Sequence, residues 1–146
     1  MIGTRRRLRV PADLDRLAEV RSMVRDVAEA CDAQPACLDD LVQAVDEAAT
    51  NVIVHGYRGT PGHLDVTAEQ VGEDVVITIA DEAPPFDPTG VPEPDLSIPP
   101  EHRTPGGMGV HLIRLAMDEV RYAPRPGGGN ILTMARRLDP RPKEER

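Results

Sequence analysis

The chain has 146 residues and a formal net charge of −8, with no Trp and one Phe. This length fits one domain with its own hydrophobic core. The acidic balance and the scarcity of aromatic residues argue against a nucleic-acid surface, since Arg5-Arg6-Arg7 is the sole arginine-rich block. No apolar run approaches the ~20 residues of a membrane span, and no signal-peptide core follows the arginines. We therefore expect a cytoplasmic protein without nucleic-acid or membrane partners.

Two cysteines, Cys31 and Cys37, flank a predicted turn and lack the further partners that metal-ligand spacing requires. We expect reduced, structural thiols. A reversible disulfide between them stays open, because a turn between helices can bring its two ends close together.

The first part of the chain predicts one strand and two helices. Thr4 to Val10 predicts a short strand, and apolar residues recur with helical spacing from Asp13, placed to cap the helix, to about Ala30. A proline then breaks the pattern. The second helix is predicted from about Ala36 to His55, and Gly56 and Gly59 are expected to end it.

Two alternating apolar runs, residues 64–68 and 75–79, predict an antiparallel hairpin with a tight turn at 71–74. Eight prolines follow between Asp81 and Pro105. A loop of this length inside a compact domain is usually functional or disordered.

The cluster Gly106-Gly-Met-Gly109 opens a predicted third helix, from Val110 to about Met117. Val110, Ile113 and Met117 share its apolar face, which Leu112, Leu115 and Ala116 are expected to widen. Residues 119–123 and 131–135 then alternate as two strands around a glycine-rich loop. The charged tail, residues 139–146, is expected to fray.

This order of elements predicts an α/β two-layer sandwich, with a mostly antiparallel mixed sheet and three helices on one face. We expect a single domain over residues 1–138.

The second helix carries an unusual polar pair. Its apolar stripe consists of Leu41, Val45, Ala48, Ala49 and Val52. At about 100° per residue, Glu47 and Asn51 lie almost above one another on the opposite face. Such a pair could hold a proton acceptor beside a metal ligand, and the alternative is an ordinary solvated helix face.

Two further polar features follow in the chain. Asp81 comes just after an apolar strand, where its carboxylate would reach the mouth of a site unless it only forms a turn. The glycines before the third helix let backbone amides approach a phosphate, and the helix dipole strengthens that field. This run is neither a Walker loop nor a dinucleotide fingerprint, and a simple loop-to-helix joint is its alternative.

Together these features resemble the GHKL (Bergerat-fold) ATPases. More narrowly, nearly the whole chain is similar to the anti-sigma-factor serine/threonine kinases of bacterial partner-switching systems, the RsbW-like group. The stretches that carry the resemblance are Asp46-Glu47-Ala-Ala-Thr-Asn51-Val-Ile-Val-His55-Gly56-Tyr57, Asp81-Glu-Ala-Pro-Pro-Phe86-Asp87-Pro88, Gly106-Gly-Met-Gly109-Val-His-Leu-Ile113 and Met117-Asp-Glu-Val-Arg-Tyr122.

The resemblance implies roles for single residues. Asn51 would coordinate Mg²⁺ at the ATP phosphates, and Glu47 would accept the proton of an attacking hydroxyl. Asp81 would accept the exocyclic amino group of adenine. Further nucleotide contacts are implied at Ala83, Phe86, Gly107, Met108, Gly109 and Val110. Residues 87–105 would form a lid over the nucleotide.

Two residues depart from the second motif of the family, which usually reads Asp-x-Gly-x-Gly. Ala83 and Pro85 stand at the glycine positions. If the backbone there needs a positive φ, an alanine costs about 1 kcal/mol and reshapes the adenine pocket. Met108 supplies no cation to the phosphates, which leaves His102 and Arg103 in the lid as candidates.

The resemblance thus implies an ATP- and Mg²⁺-dependent serine/threonine kinase that phosphorylates a STAS-type anti-sigma antagonist and sequesters a sigma factor. A homodimer stays open. The main alternative is a non-catalytic binding module of the same fold, which Ala83 favours. A histidine-kinase or ATPase fragment ranks last, because no dimerising helix with a phosphoacceptor histidine precedes the fold in this sequence.

Overall fold

In the computed structural model, which describes residues 4–90, 92, 94–102 and 108–142, five strands form one sheet in the order β1-β2-β3-β5-β4. They are β1 (Arg5–Pro11), β2 (His63–Val71), β3 (Asp74–Asp81), β4 (Glu119–Pro124) and β5 (Asn130–Arg137). Every pairing is antiparallel. The sheet is therefore not mixed, because β5 lies between β3 and β4, the two neighbours that would otherwise pair in parallel.

Three helices cover one face of this sheet and complete the predicted two-layer sandwich. They are α1 (Leu17–Ala30), α2 (Pro35–Asn51) and α3 (Met108–Ala116). The Asp13 carboxylate caps the short 3₁₀ turn that leads into α1. Alternate strand residues and the apolar helix faces form a single core, which is why period-2 and period-3.6 patterns identified these elements.

The end of α2 differs from the prediction, because Gly56 does not terminate it. A wider π-helical turn, Val52–Tyr57, continues the helix until Arg58 adopts a left-handed conformation with φ of 52°. The Tyr57 hydroxyl donates to the carbonyl of His63 at 2.7 Å and accepts from the amide of Glu82 at 2.8 Å. Tyr57 therefore attaches the end of this helix to the start of β2 and the end of β3.

The third helix begins earlier than predicted, so that Gly109 lies in its first turn. Val110, Ile113 and Met117 are buried as expected. Leu115 is 69% exposed, so the expectation that it widens the buried face is wrong.

The predicted fraying of the tail is wrong for residues 139–141. Ala33 pairs with Pro140 in an isolated bridge, and the amide of Gln34 donates to the carbonyl of Asp139 at 2.7 Å. The backbone amide of Arg141 donates to the carbonyl of Asp32, also at 2.7 Å. The loop between α1 and α2 thus supplies the backbone partners that sequence periodicity does not show. Residues 143–146 lie outside the described part of the chain.

Both cysteines are free and buried, as predicted for structural thiols. Burial raises the pKa of the Cys31 thiol. None of the helices in the described ranges is long and apolar enough to cross a membrane.

The glycine-rich loop between β4 and β5 passes directly against the end of β3. Gly129 has a φ of +116°, and a Cβ added there would lie 2.0 Å from the carbonyl oxygen of Asp81. The neighbouring Gly128 has a similar φ of +113° but no atom within 4 Å of such a Cβ.

These two glycines provide a matched test of that close approach. We expect Gly128→Ala to lower the free energy of unfolding by about 1 kcal/mol through backbone strain alone. Gly129→Ala adds a steric clash and should cost roughly 2 to 4 kcal/mol. Urea denaturation measures both, and equal losses would show that the loop moves away from β3 freely.

Candidate functional site

Asp81 is a buried carboxylate at the end of β3, with 1% of its surface exposed. Its Oδ1 accepts hydrogen bonds from the Ala83 amide and from Asn130 Nδ2, both at 2.9 Å. Burial raises the pKa of Asp81, while the hydrogen bonds from Asn130 and Ala83 and the positive charge of Arg125 act in the opposite direction. No donor among the described residues contacts Oδ2, which leaves that oxygen available as an acceptor.

Asn130, which sequence reasoning missed, connects this carboxylate to its surroundings. Its Oδ1 accepts from the Phe86 amide and from the Tyr122 hydroxyl, each at 2.8 Å. Its Nδ2 also lies 3.2 Å from the Pro84 carbonyl. The signal was present in the sequence, because Asn130 shares its strand parity with the buried Leu132 and is therefore a polar residue on the core face.

Asp81 and Asn51 line the same cavity, and its empty volume of about 470 Å³ includes open solvent at the mouth. The other lining residues are Ala48, Val52, Gly56, Ala83, Pro84, Phe86, Pro88, Ile113, Tyr122, Asn130 and Leu132. A mostly apolar wall with a few convergent polar groups is typical of a site for a flat organic ligand.

The first turn of α3 comes close to the polar face of α2. A Cβ added to Gly109 would lie 3.0 Å from Glu47 Oε2 and 3.4 Å from Asn51 Oδ1. Both side chains are half-buried. The carboxylate, the carboxamide and the N-terminal end of α3 therefore lie together.

Ala83 fits the site without the strain that a positive φ would impose. Among the described residues, the non-glycine positions with positive φ are Asp32 and Arg58, and Ala83 is neither. Ala83 is 2% exposed, and a Cβ on Gly56 would approach the Ala83 Cβ to 3.0 Å. The missing side chain at Gly56 thus makes room for the alanine methyl group.

The other predicted site residues differ in their burial, and not all of them lie in the described part of the chain. Phe86 lines the cavity but is 51% exposed, and Val110 is buried in α3. Met108 is the first residue of α3. Gly107 lies outside the described residues, as does Arg103.

The predicted lid is described in part. It contains two short 3₁₀ turns, Pro88–Gly90 and Pro100–His102, and His102 is exposed. Arg114 of α3 donates to the carbonyl of Thr89 at 2.7 Å, which ties the start of this segment to α3.

The described residues contain no group of three or more His, Cys, Asp or Glu able to hold a metal. At the α3 end of the cavity, the Asn51 carboxamide oxygen could hold a metal, and the Glu47 carboxylate lies next to it. Mg²⁺ is commonly held by one or two protein oxygens together with phosphates and water. This donor set therefore fits Mg²⁺ that arrives with a phosphorylated ligand.

Comparison with known proteins gives a consistent family. Residues 10–136 match the model of a histidine kinase-like ATPase domain. The chain is 27% identical over 130 residues to the serine-protein kinase RsbW of Bacillus cereus strain AH187, covering 86% of this chain and 81% of the relative. It is 34% identical over 94 residues to the serine/threonine-protein kinase BtrW of Bordetella bronchiseptica, covering 62% and 65%.

A solved structure of the RsbU and RsbW domains of a Mycobacterium tuberculosis protein superposes with a TM-score of 0.64 at 22% identity. The superposition covers 94% of this chain, which spans 33% of the length of the solved one. At this identity the likeness concerns the fold.

Asp81→Asn tests the burial of the carboxylate. Asparagine keeps an oxygen for the Ala83 and Asn130 donors but removes the charge. Because burial raises the pKa of Asp81 in the folded protein, the native protein loses stability as pH rises through that raised pKa. The stability advantage of the variant over the native protein should therefore be larger near pH 7 than near pH 4.

Thermal unfolding at several pH values measures this difference. A difference in Tm that stays constant with pH would show that Asp81 titrates alike in the folded and unfolded chains.

Proposed function

Because the chain belongs to the family of histidine kinase-like ATPase domains, we propose that it is an ATP- and Mg²⁺-dependent serine/threonine protein kinase of the anti-sigma type. The observation that carries this proposal is the shared cavity: Asn51 of α2 lies on one wall and the buried Asp81 of β3 on another. Glu47 lies beside Asn51, next to the first turn of α3.

The base of the nucleotide would bind at the Asp81 end. Asp81 Oδ2, which has no donor among the described residues, would accept the exocyclic amino group of adenine. The apolar side chains of Ala83, Ile113 and Leu132 line the same cavity and would contact the purine ring. Phe86, half exposed at the edge, would cover part of the ring once the base is bound.

The phosphates would lie at the α3 end. Gly109 carries no side chain, which lets the first turn of α3 approach Glu47 and Asn51 closely. Backbone amides at a helix N-terminus attract anions, and the helix dipole adds to that field. We assign Asn51 Oδ1 to hold Mg²⁺, which when bound neutralises phosphate charge.

Glu47 is the residue to which we assign proton transfer. Its carboxylate would accept the proton of the substrate hydroxyl as that oxygen forms a bond to the γ-phosphorus. The bond from the γ-phosphorus to the bridging oxygen of ADP breaks in the same displacement. Such a base must lie beside the metal and the phosphates, and the short distance from Glu47 Oε2 to the first turn of α3 supports this assignment.

The protein substrate we propose is a STAS-type antagonist phosphorylated on serine or threonine, with a sigma factor as the sequestered partner. Similarity to proteins named serine-protein kinase RsbW and serine/threonine-protein kinase BtrW supports this assignment. The net charge of −8 is compatible with a basic protein partner.

Replacing Glu47 separates chemistry from binding. We expect Glu47→Gln to lower phosphorylation of a purified STAS-domain protein by a factor on the order of 100 to 10,000, while ATP affinity stays within a few fold. Asp46→Asn is the matched control, because the neighbouring carboxylate pairs with Arg21 at 2.7 Å and does not line the cavity. Transfer of labelled γ-phosphate and equilibrium ATP binding, with and without Mg²⁺, measure the two properties.

Loss of ATP binding by Glu47→Gln without a specific loss of transfer would contradict the role of Glu47. If the native protein binds no ATP, the non-catalytic binding module becomes the better description.

Asp81→Asn should abolish adenine-dependent binding, because its amide would present a donor where the amino group of the base needs an acceptor.

A further inference from the structure

We propose that Asn130 is the positioning residue that makes this cavity select adenine over a 6-oxopurine. By donating to Asp81, Asn130 keeps the side chain of Asp81 as a hydrogen-bond acceptor for the base. The inference rests on the proposed function, since it concerns the base of the same nucleotide. Asn130 lies directly opposite Asp81 in the register of β3 and β5, and it is 8% exposed.

The surroundings fix which way the Asn130 carboxamide points. The backbone amide of Phe86 can only donate, so the atom 2.8 Å from it must be Oδ1. The Nδ2 group is then directed at Asp81 Oδ1, 2.9 Å away, and at the carbonyl of Pro84. With this orientation Asn130 offers Asp81 a donor, which an ionised carboxylate accepts and a protonated one does not require.

The charge state of Asp81 depends on few other groups. Arg125 from the loop between β4 and β5 favours the ionised form, and the Ala83 amide also donates to it. Glu82 follows in the chain and forms an ion pair with Arg125 at 3.8 Å. The hydroxyl of Tyr57 accepts from the Glu82 amide, and the hydroxyl of Tyr122 donates to Asn130 Oδ1. Burial opposes ionisation, so removing the Asn130 donor shifts the balance toward the protonated carboxyl.

The protonation state of Asp81 determines which group at C6 of a purine it can pair with. Adenine presents an amino group at C6, which is a donor, whereas hypoxanthine and guanine present an oxygen, which is an acceptor. An ionised Asp81 matches adenine and leaves a 6-oxopurine facing an unpaired acceptor. A protonated Asp81 offers a donor to the 6-oxo group and loses much of its preference for adenine.

Two variants isolate the donor of Asn130. Asn130→Asp is nearly isosteric and keeps an oxygen for the Phe86 amide and the Tyr122 hydroxyl, but replaces the Nδ2 donor with an acceptor. Two adjoining carboxyl groups resist losing both protons, so the pair retains one at neutral pH, and the share of this proton that Asp81 holds turns its acceptor into a donor. Tyr122→Phe removes only one of the two hydrogen bonds that Asn130 Oδ1 accepts. Thr133→Val, on the opposite face of β5, is the matched control.

The measurement is the ratio of ATP to ITP affinity from equilibrium binding at pH values from about 6 to 9. The native protein and Thr133→Val should prefer ATP with a ratio that does not vary with pH. In Asn130→Asp the ratio should fall roughly tenfold near pH 6 and recover as pH rises. Tyr122→Phe should lower the ratio about two- to threefold.

Urea midpoints for all four proteins separate stability from selectivity. A lower stability of Asn130→Asp with an unchanged, pH-independent ratio would overturn the role of Asn130 and leave the proposed function intact. Should Asn130→Asp not fold, an unchanged ratio in Tyr122→Phe overturns it instead. If the native protein binds neither nucleotide, the proposed function fails and the inference fails with it.

Discussion

The burial of one carboxylate at the end of β3 is the constraint on which the rest of the site depends. A charged group that is 1% exposed needs hydrogen-bond donors, because water no longer solvates it. Asp81 receives them from Ala83, two residues along the chain, and from Asn130 on the neighbouring strand. The antiparallel register of β3 and β5 is therefore part of the site, since a shift by one residue would turn Asn130 to the opposite face.

Contacts from three directions stabilise this end of the sheet. The Tyr57 hydroxyl connects the end of the α2 extension to the Glu82 amide, and the Tyr122 hydroxyl of β4 donates to Asn130. Gly129 allows the loop between β4 and β5 to approach the Asp81 backbone. On the other side of the cavity, the absent side chain of Gly109 lets α3 approach Glu47 and Asn51. The two tyrosine hydroxyls each form a hydrogen bond with a polar group that would otherwise cost free energy to bury.

The sequence predicted the elements well because their hydrophobic periods are clear. Each of the five strands and three helices lies close to its predicted range. The errors fall where the long-range partner decides the local structure. The helix continues through Gly56, whose missing side chain accommodates the Ala83 methyl group. The start of the tail forms backbone hydrogen bonds with the loop between α1 and α2. A scale of helix propensities for single residues includes neither of these long-range contacts.

By itself the sequence determined the two-layer architecture and the pairing of Glu47 with Asn51, because helical geometry places residues four apart on one face. Only the tertiary structure decided that this face meets the first turn of α3 and that Asn130 lies opposite Asp81, 49 residues away in the chain. It also decided that Ala83 needs no positive φ. Periodic burial is encoded locally in a chain, whereas the partner of a buried polar group depends on strand register and on the close approach of distant segments.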